Sequence, residues 1–128
     1  MKALALAVGL MGLATAALAD PVEGVWQTQP DDNGNFALVT IAACDTEICG
    51  TLGKGYDSAG QPIASPNIGR QMIWGMSPKG GGAYGGGKIW APDRDKTYNS
   101  KMALSGDRLK VEGCVLGICR GQTWRRVE

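Results

Sequence analysis

The chain has 128 residues, with 13 lysines and arginines, 12 aspartates and glutamates and no histidine, which gives a formal net charge of +1. This balance provides no electrostatic footprint for nucleic acid or for anionic lipid. The lack of histidine excludes a Ser-His-Asp triad and removes the commonest metal ligand and general base. We therefore expect no catalytic site, no metal centre and no cofactor.

The first residues have the pattern of an export signal. A positive start at Lys2 is followed by an uncharged apolar run, 3–17, and by the cleavage pattern Ala17-Leu18-Ala19. A retained membrane anchor needs ~20 apolar residues, a length reached only if 1–19 is counted whole, and no second apolar span follows. We predict that 1–19 is a cleaved signal peptide and that 20–128 is one domain, periplasmic or secreted, without a membrane span.

Turn signals recur about every ten residues after this segment, and β-branched and apolar runs fill the gaps. Asn33-Gly34 fits the positive φ of a type I′ turn. The longest irregular connection is 57–69, which holds Pro62 and Pro66, and 77–82 is predicted to be a flexible loop. The eight predicted strands are 24–28, 36–44, 48–56, 71–76, 83–90, 96–104, 108–115 and 118–127.

These strands are joined in sequence by short connections, and no segment has a helical hydrophobic period. Such a meander forms either a sandwich or a closed barrel. Closure removes exposed edges, and eight strands enclose room for side chains or for one small ligand. Glycines within the strands often mark the bends that closure needs. We predict an all-β, eight-stranded, antiparallel up-and-down barrel.

The four cysteines form two short pairs, each with four intervening residues between strand-like runs. An even number of cysteines in an exported chain indicates disulfides. We predict the bridges Cys44–Cys49 and Cys114–Cys119, because each pair would face itself across a hairpin. Two such pairs could also hold zinc, but an oxidising compartment disfavours thiolates.

Two tryptophan motifs, one at each end of the domain, resemble those of a known superfamily. Gly24-Val25-Trp26 opens the first strand, and Thr123-Trp124-Arg125-Arg126 ends the last. This pattern resembles the calycin superfamily of lipocalins and fatty-acid-binding proteins, in which an arginine of the last strand stacks over the first-strand tryptophan and closes the barrel base. The resemblance implies that Trp26 and Arg125 form this closure contact.

Over nearly all of 20–128 the chain is similar, more specifically, to a small exported bacterial family of unknown function with a lipocalin-like barrel. That similarity implies the fold and carries no established activity. The matching segments are 21–26, 48–50, 87–92, 96–98, 109–114 and 119–125.

We expect the barrel to bind a small apolar or amphipathic molecule, because barrel mouths provide concave, mostly apolar sites. Trp74, Tyr84 and Trp90 are expected near the mouth. Arg120 shares one face of the last strand with Gln122, Trp124 and Arg126; facing inward it could pair with a ligand carboxylate, and facing outward it would belong to a polar exterior stripe. The alternative function is a filled barrel that binds an envelope protein or another macromolecule through its Gly-rich and 57–69 loops.

Overall fold

The computed structural model describes residues 19–128, so the predicted signal peptide lies outside the described residues except for Ala19. Within this range there are nine strands and no helix long and apolar enough to cross a membrane. The strands are β1 Gly24–Gln27, β2 Phe36–Cys44, β3 Glu47–Tyr56, β4 Pro62–Ile63, β5 Gln71–Gly80, β6 Ala83–Ala91, β7 Lys96–Ser105, β8 Arg108–Val115 and β9 Ile118–Arg126.

Eight of these strands close into a barrel. The hydrogen-bonded order is β2-β1-β9-β8-β7-β6-β5-β3, and β2 also pairs with β3, so the sheet has no free edge between them. Each pairing is antiparallel, and β4 adds only a two-residue ribbon to the end of β3. The prediction of an eight-stranded antiparallel barrel is confirmed.

Two connections differ from the sequence-based expectation. The prediction that 77–82 is a flexible loop was wrong, because β5 continues to Gly80 and its Pro78 pairs with Tyr84 of β6. The register shifts between Pro78 and Gly80, and a bulge of this kind accommodates a proline, which has no N–H to donate. The 57–69 connection is not wholly irregular, since it contains β4.

Glycines bend the sheet where β5 and β6 meet. Gly75 and Gly86 have φ values of 70° and 76° within these strands, and the β6–β7 register shifts between Tyr84 and Gly87. At Gly87 the strands come so close that a Cβ atom would lie 2.7 Å from the carbonyl oxygen of Trp74. These positions require glycine, and they give the sheet the curvature that closure needs.

The barrel has a packed end and an open end. The packed end, here called the base, holds the β2–β3, β5–β6 and β7–β8 turns, and the opposite end is called the mouth. The base half is filled by fully buried side chains. These include Val39, Ile41, Met76 and Leu109.

Residues 20–23 pass beneath the barrel and seal its base. Val22 is fully buried, and its carbonyl oxygen accepts a hydrogen bond of 2.9 Å from Trp26 Nε1. The guanidinium of Arg126 lies 4.4 Å from the centre of the Trp26 ring. The same group donates to the carbonyl oxygens of Glu23 at 2.9 Å and Pro21 at 2.6 Å. One arginine therefore joins the last strand, the first strand and this segment.

The arginine that stacks over Trp26 is Arg126, so the prediction that Arg125 makes this closure contact was wrong. Side chains alternate across a strand, and the buried Trp124 places even-numbered residues of β9 on the inside. Arg125 consequently projects outward, is exposed, and lies opposite Arg108 of β8.

The base also buries a tyrosine whose titration affects stability. Burial raises the pKa of Tyr84, and a hydrogen bond to the Asp20 carboxylate raises it further. The folded barrel thus favours neutral tyrosine, while the unfolded chain ionises near the usual pKa of about 10. The stabilisation is complete below pH ~10 and is lost as the pH rises toward the raised pKa of the folded state.

We expect the free energy of unfolding to fall above pH 10 by about 1.4 kcal/mol per pH unit through this residue. Urea unfolding at several pH values between 8 and 11 measures the slope. Tyr84→Phe should be less stable at pH 8 but lack this additional slope. Equal slopes in the two proteins would contradict the assignment.

The two cysteine pairs are bridged at opposite ends of the barrel. Cys44–Cys49 joins β2 and β3 at the base with a Cα–Cα distance of 5.8 Å. Cys114–Cys119 joins β8 and β9 at the mouth with a Cα–Cα distance of 4.1 Å. The second bridge therefore fixes a hairpin beside the opening.

Candidate ligand-binding cavity

A cavity of about 1070 Å³ occupies the mouth half of the barrel and opens to solvent. It exists because several wall positions carry little side chain, among them Ala37, Gly55 and Gly113. The rest of the wall is mainly apolar, and the buried Trp124 lies toward the base. Leu52, Met72, Ile89 and Val111 contribute to this apolar wall.

β9 contributes two of the polar groups of the cavity, whose lining also includes Asp31, Asn67 and Asp93 from the connections at the mouth. Every second residue of β9 faces the same side as the buried Trp124. Gln122 and Arg120 therefore face the inside, where they border the cavity. Gln122 Oε1 accepts a hydrogen bond of 2.8 Å from Trp124 Nε1, which holds that amide against the indole. The structure therefore places Arg120 on the cavity side of the strand, the first of the two orientations considered above.

The surroundings of Arg120 leave its charge available. Its partner across the ladder is Gly113, which has no side chain, so Ile89 and Tyr98 pack close to the glycine. A Cβ atom there would lie 3.4 Å from Ile89 and from Tyr98. Among the ion pairs within residues 19–128, none includes Arg120.

Trp90 is fixed at the mouth by two neighbours. Its indole Nε1 donates a hydrogen bond of 2.8 Å to Asp95 Oδ1 in the β6–β7 turn. The guanidinium of Arg70 lies 3.3 Å from the centre of a Trp90 ring, a cation–π contact that ties the 57–70 connection to this turn. Sequence reasoning missed Arg70, because its contact with Trp90 spans 20 residues that include most of β5 and β6 and so has no local signal.

The rim contains an aromatic pair that sequence reasoning also missed. Phe36 and Tyr56 are opposite each other in the β2–β3 register, and their rings stack with centroids 5.4 Å apart. Phe36 borders the cavity. Only the hairpin register, which the turn length alone does not give, brings these two rings together.

Trp74 and Tyr84 do not border the cavity, and the expected place of Tyr84 at the mouth was wrong. Tyr84 lies near the start of β6, which runs from base to mouth, and its hydroxyl reaches Asp20 at the base. Trp74 is half-buried against the core and follows two consecutive buried residues, Met72 and Ile73, where side-chain alternation fails. Of the four proposed ligand contacts, Trp90 and Arg120 border the cavity.

The cavity offers binding groups more than reactive ones. No group of three His, Cys, Asp or Glu side chains in the described part of the chain could hold a metal ion. Besides the carboxylates of Asp31 and Asp93, the lining provides an apolar wall, the Gln122 amide and Arg120, which forms no ion pair within residues 19–128; such a set suits an amphipathic molecule.

A similar barrel has been solved for a protein of known source. The chain resembles protein HP1028 from the human pathogen Helicobacter pylori, described as belonging to the lipocalin family, with a TM-score of 0.67. Sequence identity is 18%, over 83% of this chain and 82% of that chain. At this identity the likeness shows the fold, a lipocalin-like barrel.

The sequence itself matches a bacterial family profile. Residues 24–126 match the family described as "Uncharacterized protein conserved in bacteria (DUF2147)". The match spans all nine strands and begins just after the 20–23 segment that seals the base. No curated protein shows a significant match.

Proposed function

The chain belongs to this uncharacterised bacterial family, and we propose that its barrel binds a small amphipathic molecule with an apolar body and an anionic head. The observation that carries the proposal is the open cavity of about 1070 Å³ with Arg120 in its wall, an arginine that forms no ion pair in the described part of the chain. Both parts of the ligand follow from the lining.

The apolar body is inferred from volume and wall. Small-molecule sites usually measure ~300–1,000 Å³ and are mostly apolar with a few polar groups. This cavity, at about 1070 Å³, lies just above that range, and Leu52, Met72 and Val111 give its wall an apolar character. A chain or fused-ring compound would displace water from this wall.

The anionic head is inferred from Arg120. A guanidinium without an acidic partner gains most from an anion, and Arg binds carboxylate or phosphate with two parallel hydrogen bonds. Arg120 borders the open cavity, which leaves room for such a group. Gln122 lies two residues further along the same face, although its carbonyl oxygen is already engaged by Trp124.

The proposed setting is an oxidising compartment, the periplasm or the outside of the cell, as two disulfides are typical there. Binding is favoured over catalysis because the polar groups of the cavity include no nucleophile paired with a base. The alternative with a filled barrel is not supported, since the barrel contains a cavity.

The test is titration with a fluorescent fatty acid and with its methyl ester. The wild type should bind both, and Arg120→Leu should weaken binding of the acid by about ten- to a hundredfold, the loss of one charge-assisted interaction. Binding of the ester should change little. Measurement of both dissociation constants separates the head from the body of the ligand.

The matched control is Arg125→Leu, which removes the same charge from the outer face of the same strand. It should bind the acid as the wild type does. An equal loss in both variants would show a nonspecific effect of net charge, and no binding of either probe by the wild type would overturn the proposal.

A further inference from the structure

Exposed apolar side chains gather at the mouth of the barrel. Among the large hydrophobic residues that are exposed within 19–128, all but Val127 lie in segments next to the opening. They come from the 57–70 connection and from the β8–β9 turn. The residues concerned are Ile63, Ile68, Val115, Leu116 and Ile118.

The β8–β9 turn, residues 115–118, is the most prominent of these segments and is called the tip. Leu116 is 97% exposed, Ile118 is 68% exposed and Val115 is 48% exposed. The tip carries no charged residue, and the Cys114–Cys119 bridge fixes the hairpin directly behind it. Apolar side chains are thus held out in water on a constrained support.

The backbone of the tip makes the leucine more unusual. Leu116 has a φ of 52° and Gly117 a φ of 83°, as in the two-residue hairpin turns that favour Asn-Gly. A non-glycine residue with positive φ is uncommon, and asparagine or aspartate is the usual choice. Leucine therefore disfavours this turn and gains no burial there, so folding of the barrel does not account for it.

We propose that the tip inserts into the interfacial region of a lipid bilayer and holds the mouth of the barrel against the membrane. Val115, Leu116 and Ile118 border the cavity as well as protruding from it. A membrane reached by the tip would therefore adjoin the opening.

The size of the tip favours a bilayer over a protein partner. The exposed fractions of its three apolar side chains add up to about two fully exposed hydrophobic residues. At ~1.5–3 kcal/mol per side chain and ~25 cal/mol per Å², this corresponds to roughly 200 Å² of apolar surface. A stable protein interface buries ~800 Å² on each partner and needs a complementary shape. A bilayer makes no demand on shape, and a few inserted apolar groups suffice for weak, reversible attachment, on the scale of one acyl chain at ~10⁴ M⁻¹.

The charges around the mouth favour lipids without net charge. Acidic and basic side chains are interspersed there, as in the Asp93–Arg94 pair with N–O distance 3.9 Å. No patch of one sign is available to attract anionic headgroups. We expect attachment to zwitterionic membranes that depends little on salt.

The experiment is sedimentation of the protein with phosphatidylcholine vesicles at ~0.1–1 mM accessible lipid, the range set by that affinity. The wild type should sediment with the vesicles, equally at low and high salt. Leu116→Asn suits the turn and removes the apolar group, so it should fold normally and lower the partition coefficient by about ten- to a hundredfold. In Leu116→Trp the new tryptophan should enter the bilayer, so brominated lipid should quench a larger fraction of the tryptophan fluorescence than it does in the wild type.

The matched control is Val127→Asn, which removes an exposed apolar side chain at the base and should leave partitioning unchanged. The proposal is overturned if the wild type stays in the supernatant, if Val127→Asn loses as much as Leu116→Asn, or if only anionic vesicles bind. It is also overturned if Leu116→Asn abolishes self-association in ultracentrifugation without affecting vesicles. Arg120→Leu, which changes the cavity wall and leaves the tip intact, should sediment with the vesicles as the wild type does, and this separates membrane attachment from binding in the cavity.

Discussion

Trp26→Ala is expected to lower the free energy of unfolding by about 3–5 kcal/mol, the range for truncating a large buried aromatic residue. Trp26 is 0% exposed, its Nε1 donates to Val22, and its ring carries the guanidinium of Arg126. Truncation would leave a void between β1 and the 20–23 segment. Unfolding in guanidinium chloride, monitored by far-ultraviolet circular dichroism, measures the change in the free energy of unfolding.

The control for this substitution is Trp26→Phe. It keeps an aromatic ring for Arg126 but removes the N–H, leaving the Val22 carbonyl oxygen without that donor, so it should cost about 1–3 kcal/mol. If Trp26→Ala costs less than Trp26→Phe, the tryptophan does not support the base.

Arg126→Leu is the second large effect, with an expected loss of about 2–3 kcal/mol of unfolding free energy. The variant removes two charge-assisted hydrogen bonds, to Glu23 and Pro21, together with the contact to Trp26. Arg125→Leu should change stability by about 0.5 kcal/mol at most, as expected for an exposed position. Equal effects at the two arginines would contradict the placement of Arg126.

The double variant tests whether the ring and the guanidinium act together. Trp26→Ala combined with Arg126→Leu should cost less than the sum of the two single changes, with an interaction of about 0.5–3 kcal/mol. Strict additivity would mean that the cation–π contact contributes nothing to the base.

The barrel was predictable because its signals are local. Turn residues recur at short intervals, and the cysteine pairs mark two hairpins, so the eight barrel strands follow from the sequence, while closure was preferred to a sandwich because it removes exposed edges. The sequence also held the answer to which arginine closes the base. Taking Trp124 as an inward residue places Arg120, Gln122 and Arg126 on the same side by simple alternation.

The remaining features depend on bulges and on long-range register. Alternation fails in β5 at Met72 and Ile73, which are both buried, so Trp74 could not be assigned to a face by counting residues. The contact of Arg70 with Trp90 depends on the path of the 57–70 connection. The cavity follows from which wall positions are small, and only the full register shows that Ala37, Gly55 and Gly113 face one space.

The pairing of β1 with β9 has a consequence for how the chain folds. Trp26 lies opposite Arg126, and Arg126 contacts Glu23 across 103 residues of sequence. During synthesis β1 emerges early and has no β9 to pair with until almost all of the barrel has followed. Non-local β pairings of this kind are slow, typically forming in milliseconds to seconds. Throughout that interval β1 is an open sheet edge that can recruit strands from other chains, so a chain truncated before Arg126 should aggregate even though its remaining hairpins can form.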